Sequence, residues 1–348
     1  MPEIAPLLLP WFKIHGRKNL PWQQQVSAYR VWLSEIMLQQ TQVSTVIPYF
    51  EKFIKTFPTI QYLADADLDQ VLALWAGLGY YARARNLHKT AQIIRDEYAE
   101  NFPSTLEKLE ALPGIGRSTA GAIASLAMGQ SAGILDGNVK RVLCRVFQQT
   151  GWPGSTQTQK QLWSLVNQHT PKKETAFYNQ AMMDLGSMVC TRSKPACEEC
   201  PLSSICQSYH QGTQLEYPVR KPKKKNILKS HWFLIHHHEQ KILLQKRPPS
   251  GIWGGLWCLP EFQEFDAVSH WQIERFGQLL PEQERIKNRL FHRFTHFNLN
   301  LSVVSYKVNH NQRNVFESSV NDADECLWFD QKELSSLALP TPMQKLLL

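Results

Sequence analysis

Four cysteines form the densest group of potential metal ligands in the chain. They are separated by gaps of six, two and five residues: Cys190, Cys197, Cys200 and Cys206. A quartet made only of cysteine holds either structural zinc or a [4Fe-4S] cluster, and this spacing matches neither the common zinc pattern nor the ferredoxin pattern. Spacing alone therefore predicts a metal site and leaves the metal open.

Glu35 is the only acidic residue in a predicted helix over residues 31–41, where it stands between Leu33 and Ile36. Partial desolvation disfavours a carboxylate anion and raises its pKa, as a general acid working near neutral pH requires. A glutamate on the polar surface beside Ser34 fits the same periodicity. The helical pattern alone leaves both interpretations open.

Asp136 follows a short apolar run and begins a predicted helix within residues 134–141. A helix N-terminus stabilises an ionised carboxylate, so we expect Asp136 to stay an anion while Glu35 holds a proton. Such a pair suits glycosidic chemistry, because one group protonates the leaving group and the other stabilises the resulting cation. The alternative for Asp136 is an ordinary helix N-cap.

A turn with two glycines, Gly114 and Gly116, joins two predicted helices within residues 112–120. Backbone N–H groups at such a turn can bind phosphate. A purely structural turn is the alternative, since a lone Gly-x-Gly pair is a weak signal. The pattern is that of a helix-hairpin-helix.

The elements that must position these residues fall into two predicted domains, which 348 residues can accommodate. Helical periodicity extends over residues 10–209, and beyond residue 230 the period becomes that of strands, predicted at 232–235, 242–245, 298–306 and 326–329. We expect a helical domain at 1–212, with the cysteine loop at 190–206, a linker at 213–229 and an α/β domain at 230–348. The lysines of the linker either touch phosphate or belong to a solvated tether: Lys221, Lys223, Lys224 and Lys225.

The formal charge of +8 favours a polyanionic partner, and nucleic acid is the first candidate. The chain has no run of eighteen apolar residues, and residues 7–9 are too short for the apolar part of a signal peptide. We therefore expect a cytoplasmic protein, in which the cysteines are metal ligands or free thiols. A monomer is the default expectation.

These motifs, in this order, resemble the endonuclease III superfamily of helix-hairpin-helix DNA glycosylases across the first domain. Residues 33–42 and 77–85, together with the added α/β domain, are similar to the branch of that superfamily that removes adenine. The resemblance implies an all-α glycosylase domain followed by a Nudix-like α/β domain. It also implies that the cysteine quartet binds a [4Fe-4S] cluster, which orders a basic loop at the DNA backbone.

The resemblance further implies hydrolysis of the N-glycosidic bond of adenine opposite 8-oxoguanine or guanine in double-stranded DNA. The catalytic residues would be Glu35, Asp136, Asn138 and Ser118. Bifunctional relatives carry a lysine at the position of Ser118, so the resemblance implies a hydrolase without lyase activity.

Base flipping requires residues that open the duplex and residues that hold the extruded base. By resemblance, the adenine pocket and the DNA contacts comprise Arg17, Leu20, Trp22, Gln40, Thr41, Leu78, Tyr80, Gly114, Gly116 and Lys140. Gln40 and Tyr80 match the wedges that fill the gap. Taken singly, Trp22 could belong to the core, and Gln40 and Tyr80 could be inert surface residues.

The second domain resembles a MutT-like Nudix domain, in which Gly255 and Glu261 fit the first half of the catalytic box. Ser269 and His270 occupy positions where that box requires arginine and glutamate, so the magnesium-binding carboxylates are missing and we expect binding without hydrolysis. By resemblance, 8-oxoguanine is recognised by Phe294, Thr295 and His296. Thr295 stands where a serine is common in the family.

The run of residues 236–238, followed by Glu239, has the composition of a metal site, but a polar turn between two strands is the expected structure. Three other functions are compatible with parts of the pattern. They are a glycosylase or glycosylase-lyase acting on thymine, uracil or oxidised pyrimidines, a non-catalytic iron-sulfur DNA-binding protein, and a nucleotide pyrophosphohydrolase.

Overall fold

The structure is a computed structural model that describes residues 3–221, 226–279, 288–319 and 325–348. The chain divides into two compact units, Met1–Asp65 with Asn86–Lys223 and Ala66–Arg85 with Lys224–Leu348. Of the predicted linker lysines, Lys223, Lys224 and Lys225 lie outside the described residues. No helix in the described ranges has the length and apolar character needed to cross a membrane.

The first unit is helical, as predicted. The helices up to residue 210 are α1 Ala5–His15, α2 Ala28–Leu38, α3 Val43–Thr56, α4 Ile60–Asp65, α5 Leu68–Trp75, α6 Ala82–Tyr98, α7 Leu106–Glu110, α8 Arg117–Ala122, α9 Gly137–Val146, α10 Thr156–His169, α11 Thr175–Met188 and α12 Gln207–His210. A π-helical turn, Ile123–Ala127, continues α8. Helix α5 and the first turn of α6 belong to the second unit.

Helix α2 is the central element of the candidate site. It begins at Ser27, whose Oγ accepts a hydrogen bond from the backbone N–H of Arg30 at 3.3 Å, as a helix N-cap does. Its interior is almost entirely apolar and buried, and it packs against α3, α8 and the π-helical turn. Burial on several sides leaves little contact with water for any polar side chain on this helix.

The predicted helix over residues 31–41 is too long at its C-terminal end. Helix α2 ends at Leu38, and Gln40 follows in a turn with a backbone φ of +57°. The side chain of Gln40 is exposed. Gln40 is therefore presented by a sharp turn after the helix, and a positive φ is unfavourable for a residue that has a Cβ.

The second unit contains a mixed sheet of seven strands in the described residues. The strands are β1 Ile227–His238, β2 Lys241–Lys246, β3 Trp257–Cys258, β4 Glu261–Phe262, β5 Asn288–Arg293, β6 Phe297–Lys307 and β7 Cys326–Asp330. The order along the sheet is β3-β2-β1-β6-β5, with β4 paired to β1 and β7 to β2, and only the β1–β6 pairing is parallel. Three helices accompany the sheet, α13 Phe265–Phe276, α14 His310–Ser319 and α15 Thr341–Leu347.

The four predicted strands are confirmed, whereas the prediction of a polar turn at residues 236–238 is wrong. These residues continue β1, and both His236 and His238 are buried because they lie on the same face of the strand. Nε2 of His236 lies 2.7 Å from Oε1 of Gln272. The turn comes afterwards, at Glu239 and Gln240.

Polar contacts between described residues fasten the segment 66–85 to the rest of the second unit. Lys246 forms a salt bridge with Asp69, with 2.9 Å between Nζ and Oδ2. Arg85 donates a hydrogen bond from Nη1 to the carbonyl oxygen of Gly254 at 2.5 Å, and the Tyr81 hydroxyl reaches the carbonyl oxygen of Leu339 at 3.4 Å. Nothing in the sequence indicated this grouping.

Candidate active site

A cavity of about 420 Å³ in the helical unit brings together nine of the residues predicted to form the site. This volume is in the range of small-molecule sites. The nine residues are Arg17, Leu20, Trp22, Glu35, Gln40, Thr41, Ser118, Asp136 and Asn138. They come from α2 and the turn after it, from the segment before α2, and from the starts of α8 and α9.

Glu35 lies in the cavity wall with only part of its side chain exposed. Burial raises the pKa of Glu35 to about 8, and the negative charge of Asp136 adds to the increase. The carboxyl group is therefore mainly protonated at neutral pH. Its surroundings are not those of a solvated surface glutamate.

Asp136 lines the same cavity and also serves as the N-cap of α9. Its Oδ1 accepts a hydrogen bond from the backbone N–H of Val139 at 2.7 Å, and its Oδ2 accepts one from Nδ2 of Asn138 at 2.9 Å. Oδ1 of Asn138 in turn accepts a hydrogen bond from Nη2 of Arg141 at 2.8 Å. Asp136 is thus both a helix N-cap and a residue of the candidate site, the two alternatives that the sequence left open. Hydrogen-bond donors hold both of its carboxylate oxygens in place.

Ser118 lies in the first turn of α8, and its Oγ accepts a hydrogen bond from the backbone N–H of Leu135 at 3.1 Å. This contact fixes the segment that precedes Asp136 relative to α8. No lysine is among the described residues that line the cavity. Among the described residues that line it, Arg17 is the one with a cationic side chain.

Helix α11 lines one side of the cavity, which the sequence analysis did not predict. Gln180, Met183 and Ser187 line the cavity, and Asp184 is fully buried behind them. Asp184 accepts hydrogen bonds from the backbone N–H of Arg17 at 2.7 Å, from Arg17 Nε at 2.9 Å and Nη2 at 2.6 Å, and from Gln180 Nε2 at 2.9 Å. Asp184 therefore fixes the guanidinium of Arg17 at the rim of the cavity.

Trp22 satisfies both interpretations that its sequence context allowed. It is buried and packs edge-on against Phe50, with 5.5 Å between ring centroids, and it also lines the cavity. Thr41 lies beyond Gln40, and its Oγ1 donates a hydrogen bond to the carbonyl oxygen of Gln39 at 3.3 Å.

Five predicted DNA-contacting residues lie outside this cavity wall. Gly114, with φ of +78°, turns the chain between α7 and α8, and a Cβ at that position would stand 2.9 Å from Cβ of Asn86. Gly116 is the N-cap of α8, and Lys140 is half-buried on α9, where burial lowers its pKa. Leu78 and Tyr80 belong to the second unit, Leu78 buried and Tyr80 exposed with φ of +50°.

All four cysteines of the predicted metal site line one small cavity in the helical unit. Burial raises the pKa of Cys200 to about 12, so the protein alone does not favour the thiolate that a metal requires. Arg145, which is fully buried beside them, donates hydrogen bonds to Cys190 Sγ at 3.3 Å and to the carbonyl oxygens of Thr191, Arg192 and Tyr217. Four sulfurs around one cavity, one of them facing a guanidinium, fit an iron-sulfur cluster.

In the second unit, residues 294–296 form the turn between β5 and β6, closed by a hydrogen bond from the N–H of Phe294 to the carbonyl oxygen of Phe297 at 2.9 Å. The Phe294 ring stacks on that of Phe297, with 4.4 Å between centroids, and lies 5.5 Å from that of Trp253. Thr295 and His296 are exposed. The turn therefore exposes the Thr295 hydroxyl and the His296 imidazole beside the packed rings of Phe294 and Phe297.

The remaining Nudix-box carboxylate, Glu261, is occupied by partners within the protein. Its Oε2 accepts a hydrogen bond from Arg247 Nη1 at 2.5 Å, and its Oε1 contacts Nδ1 of His231. Ser269 and His270 lie on α13, where each contacts a backbone carbonyl one turn earlier. Among the described residues, no group of three potential metal ligands includes Glu261.

Three family models match the chain. Residues 33–168 match the HhH-GPD superfamily of base excision DNA repair proteins, residues 190–206 match the iron-sulfur binding domain of endonuclease III, and residues 231–348 match the NUDIX domain. A thermostable thymine-DNA glycosylase has a similar structure, with a TM-score of 0.54 and 25% identity over 60% of this chain and 95% of that one. The fold and the iron-sulfur motif thus define a DNA glycosylase of the helix-hairpin-helix class.

Relatives along the whole chain identify the particular family. The chain is 39% identical to the adenine DNA glycosylase of Buchnera aphidicola subsp. Schizaphis graminum, over 99% of this chain and 97% of that protein. It is 45% identical to the human adenine DNA glycosylase, over 60% of this chain and 39% of that protein. The chain belongs to the adenine DNA glycosylase family, and it binds a [4Fe-4S] cluster.

Proposed function

We propose that the protein removes adenine from double-stranded DNA in which adenine is mispaired with 8-oxoguanine or guanine. Membership of the adenine DNA glycosylase family supports this proposal. The observation that carries the chemistry is a carboxyl group with a pKa of about 8, Glu35, in the same cavity as the N-capping carboxylate of Asp136. The two groups have different environments and hence different roles.

In the proposed reaction, the carboxyl group of Glu35 donates its proton to N7 of the extruded adenine. The bond between adenine N9 and the sugar C1′ then breaks, and its electron pair leaves with the base. The carboxylate of Asp136 stabilises the positive charge that develops on the sugar, while Asn138 and Ser118 hold the start of α9 in position. Water adds to C1′ and loses a proton, which yields free adenine and an abasic site.

The proposed enzyme has no lyase step, because Ser118 carries no amine that could attack C1′. The iron-sulfur cluster supplies structural order when it is bound, and we propose Cys190, Cys197, Cys200 and Cys206 as its ligands. We further propose that Arg17, Leu20 and Trp22 hold the base and that Gln40 and Tyr80 fill the gap in the duplex. The other proposed pocket or DNA-binding residues are Thr41, Leu78, Gly114, Gly116 and Lys140.

The second unit is proposed to read the base opposite adenine through residues 294–296 rather than to hydrolyse nucleotides. Exposure of Thr295 and His296 beside packed phenylalanine rings supports recognition of the opposite base. The salt bridge between Glu261 and Arg247 argues against magnesium catalysis. With this function we propose a division into domains at residues 1–212, 213–229 and 230–348, a monomeric state and a cytoplasmic location. In the cytoplasm, the enzyme would be associated with the nucleoid through DNA.

A single-turnover assay tests the chemistry. The purified protein is mixed with an 8-oxoguanine·adenine duplex labelled on the adenine strand, and each sample is divided between hot alkali and no alkali. We expect cleavage only after alkali, and we expect Glu35→Gln to slow it by about 10²–10⁴-fold. Cleavage without alkali would refute the hydrolase assignment, and excision of thymine or uracil in matched duplexes would refute the base assignment.

Recognition of 8-oxoguanine is tested separately by comparing excision from 8-oxoguanine·adenine and guanine·adenine duplexes. We expect His296→Ala to lower the ratio of the two rates, with the guanine·adenine rate nearly unchanged, and Thr295→Ser to preserve the ratio because the hydroxyl remains. Ser269→Ala, on α13, is the matched control. An equal loss on both duplexes in His296→Ala would contradict the assigned role.

A further inference from the structure

Three potential metal ligands meet at one edge of the sheet in the second unit. His238 is the last residue of β1, Glu239 begins the turn that follows, and His310 is the first residue of α14. One ligand atom from each of the three residues lies within 4.8 Å of the other two. The sequence separates His310 from the other two by about seventy residues, so no motif indicates this grouping.

The ring of His238 is oriented as a metal ligand requires. It is buried, and its Nδ1 lies 3.0 Å from the carbonyl oxygen of Val308. Because a carbonyl only accepts hydrogen bonds, Nδ1 carries the ring proton and Nε2 presents its lone pair. Metal-binding histidines typically donate their second N–H to a backbone carbonyl or a carboxylate in this way.

His310 completes a pair of nitrogens at a spacing that suits a metal ion. Its Nδ1 lies 3.2 Å from Nε2 of His238. Two nitrogens bound to tetrahedral zinc at about 2.0–2.1 Å stand about 3.3 Å apart. A direct hydrogen bond between two neutral imidazoles has a similar length, so the carboxylate of Glu239 is the feature that distinguishes a cation site from a simple pair.

The scaffold around the three residues is fixed by hydrogen bonds. Asn309 and Gln312 cap the start of α14 reciprocally, each backbone N–H donating to the other side chain, at 2.7 and 3.0 Å. The backbone N–H of Val308 donates to the carbonyl oxygen of His237 at 2.7 Å. The ring of Trp328 packs edge-on against that of His238. Such preorganisation lowers the cost of ordering the ligands.

We propose that Nε2 of His238, Nδ1 of His310 and the carboxylate of Glu239 bind a divalent transition metal ion of the zinc class. Imidazole and carboxylate donors suit zinc, and three protein ligands leave a fourth position for water. His238 is the ligand from the run at residues 236–238. His236 is not a ligand, because its ring contacts Gln272 in the core. The proposed site belongs to the second unit, whereas the cysteine site belongs to the first.

Isothermal titration of zinc into the full-length, iron-loaded, tag-free protein tests the proposal. We expect one binding event in the unaltered protein, and the same event in the control His270→Ala, which removes an exposed histidine of the same unit. We expect His310→Ala to weaken binding by at least about tenfold, and Glu239→Gln to weaken it to a smaller extent. Both substituted side chains are exposed, so the variants should fold.

Zinc X-ray absorption of the loaded protein provides an independent measurement, with nitrogen and oxygen neighbours and no sulfur expected. Iron content is measured before and after loading. Absence of binding in the unaltered protein, equal binding in His310→Ala, or sulfur neighbours accompanied by loss of iron would each overturn the proposal.

Discussion

At the scale of single residues, the protonation of Glu35 predicts the pH dependence of excision. The pKa of Glu35 is about 8, so the protonated acid predominates below that pH and is lost above it. We expect the single-turnover rate to be nearly constant at about pH 6–7 and to fall about tenfold per pH unit well above 8. A pH profile of excision measures this, and a rate that stays constant to about pH 10 would contradict the assignment.

The same pKa predicts a cost in stability. Between the ordinary value of 4.5 and about 8, the folded protein holds a proton on Glu35 that the unfolded chain has released. The contribution of Glu35 to the free energy of unfolding therefore decreases as pH rises through this window.

Glu35→Gln removes this penalty, so we expect its Tm to exceed that of the unaltered protein by at least about 3 °C at pH 8, with a smaller difference at pH 5. Calorimetry measures the difference. Glu97→Gln, an exposed position on α6, is the control and should show no such trend. A Glu35→Gln variant that is less stable at pH 8 would mean that the charged form is favoured in the fold.

Glu35 and Asp136 could be predicted because the signals for both are local: Glu35 stands among apolar residues of one helix, and Asp136 stands at a helix start. It missed Asp184 and Gln180 because the partner of Asp184 is Arg17, 167 residues away. An aspartate on an apolar helix gives no sign of which distant cation it will meet. The cysteine quartet was visible as a metal site, whereas its identity required the resemblance.

At the scale of elements, the contacts of residues 66–85 with the rest of the second unit predict how fast the backbone amides of this segment exchange. Arg85→Ala removes a hydrogen bond from a charged donor to the carbonyl of Gly254, which is worth about 1.5–3 kcal/mol. We expect faster amide hydrogen exchange within residues 66–85, and slower excision because this segment carries Tyr80.

Hydrogen exchange followed by mass spectrometry measures the effect of Arg85→Ala. Arg313→Ala, which removes an i,i+4 ion pair with Glu317 on α14, is the matched control and should leave residues 66–85 unchanged. Unchanged exchange in Arg85→Ala would show that the remaining contacts of the segment suffice.

Element types followed from periodicity, but element ends did not. The sequence pattern of α2 gives no sign of an end at Leu38, where the helix stops before the turn that contains Gln40. Strands β3 and β4, of two residues each, are too short to show an alternating pattern. The polarity of the histidine run favours a turn, whereas the fold buries His236 and His238 in β1 with hydrogen bonds.

At the scale of the whole molecule, the formal charge of +8 predicts salt-dependent binding to DNA. Each cation that neutralises a phosphate releases counterions, so the logarithm of the binding constant should fall linearly with the logarithm of salt concentration. We expect Lys140→Ala to reduce the slope by about one and to weaken binding by a similar factor on any sequence.

Fluorescence anisotropy with mispaired and fully paired duplexes measures the effect of Lys140→Ala, and the paired duplex serves as the internal control. A loss confined to the mispaired duplex would mean that Lys140 acts in base recognition instead of contacting phosphate.

Two domains, and the change from helices to strands between them, could be predicted because composition and period both change near residue 230. The placement of residues 66–85 with the second unit could not, because those residues have the same helical pattern as their neighbours in the chain. Which compact unit a helix joins depends on contacts such as Lys246 with Asp69, and these are 177 residues apart.

The buried guanidinium of Arg145 also has a consequence for the order of synthesis. Its carbonyl acceptors, on Thr191, Arg192 and Tyr217, lie 46, 47 and 72 residues later in the chain. A nascent chain that has emerged from the ribosome only as far as α10 cannot bury this cation, because its acceptors have not yet emerged. Completion of the helical unit must therefore wait until Tyr217 has emerged from the ribosome.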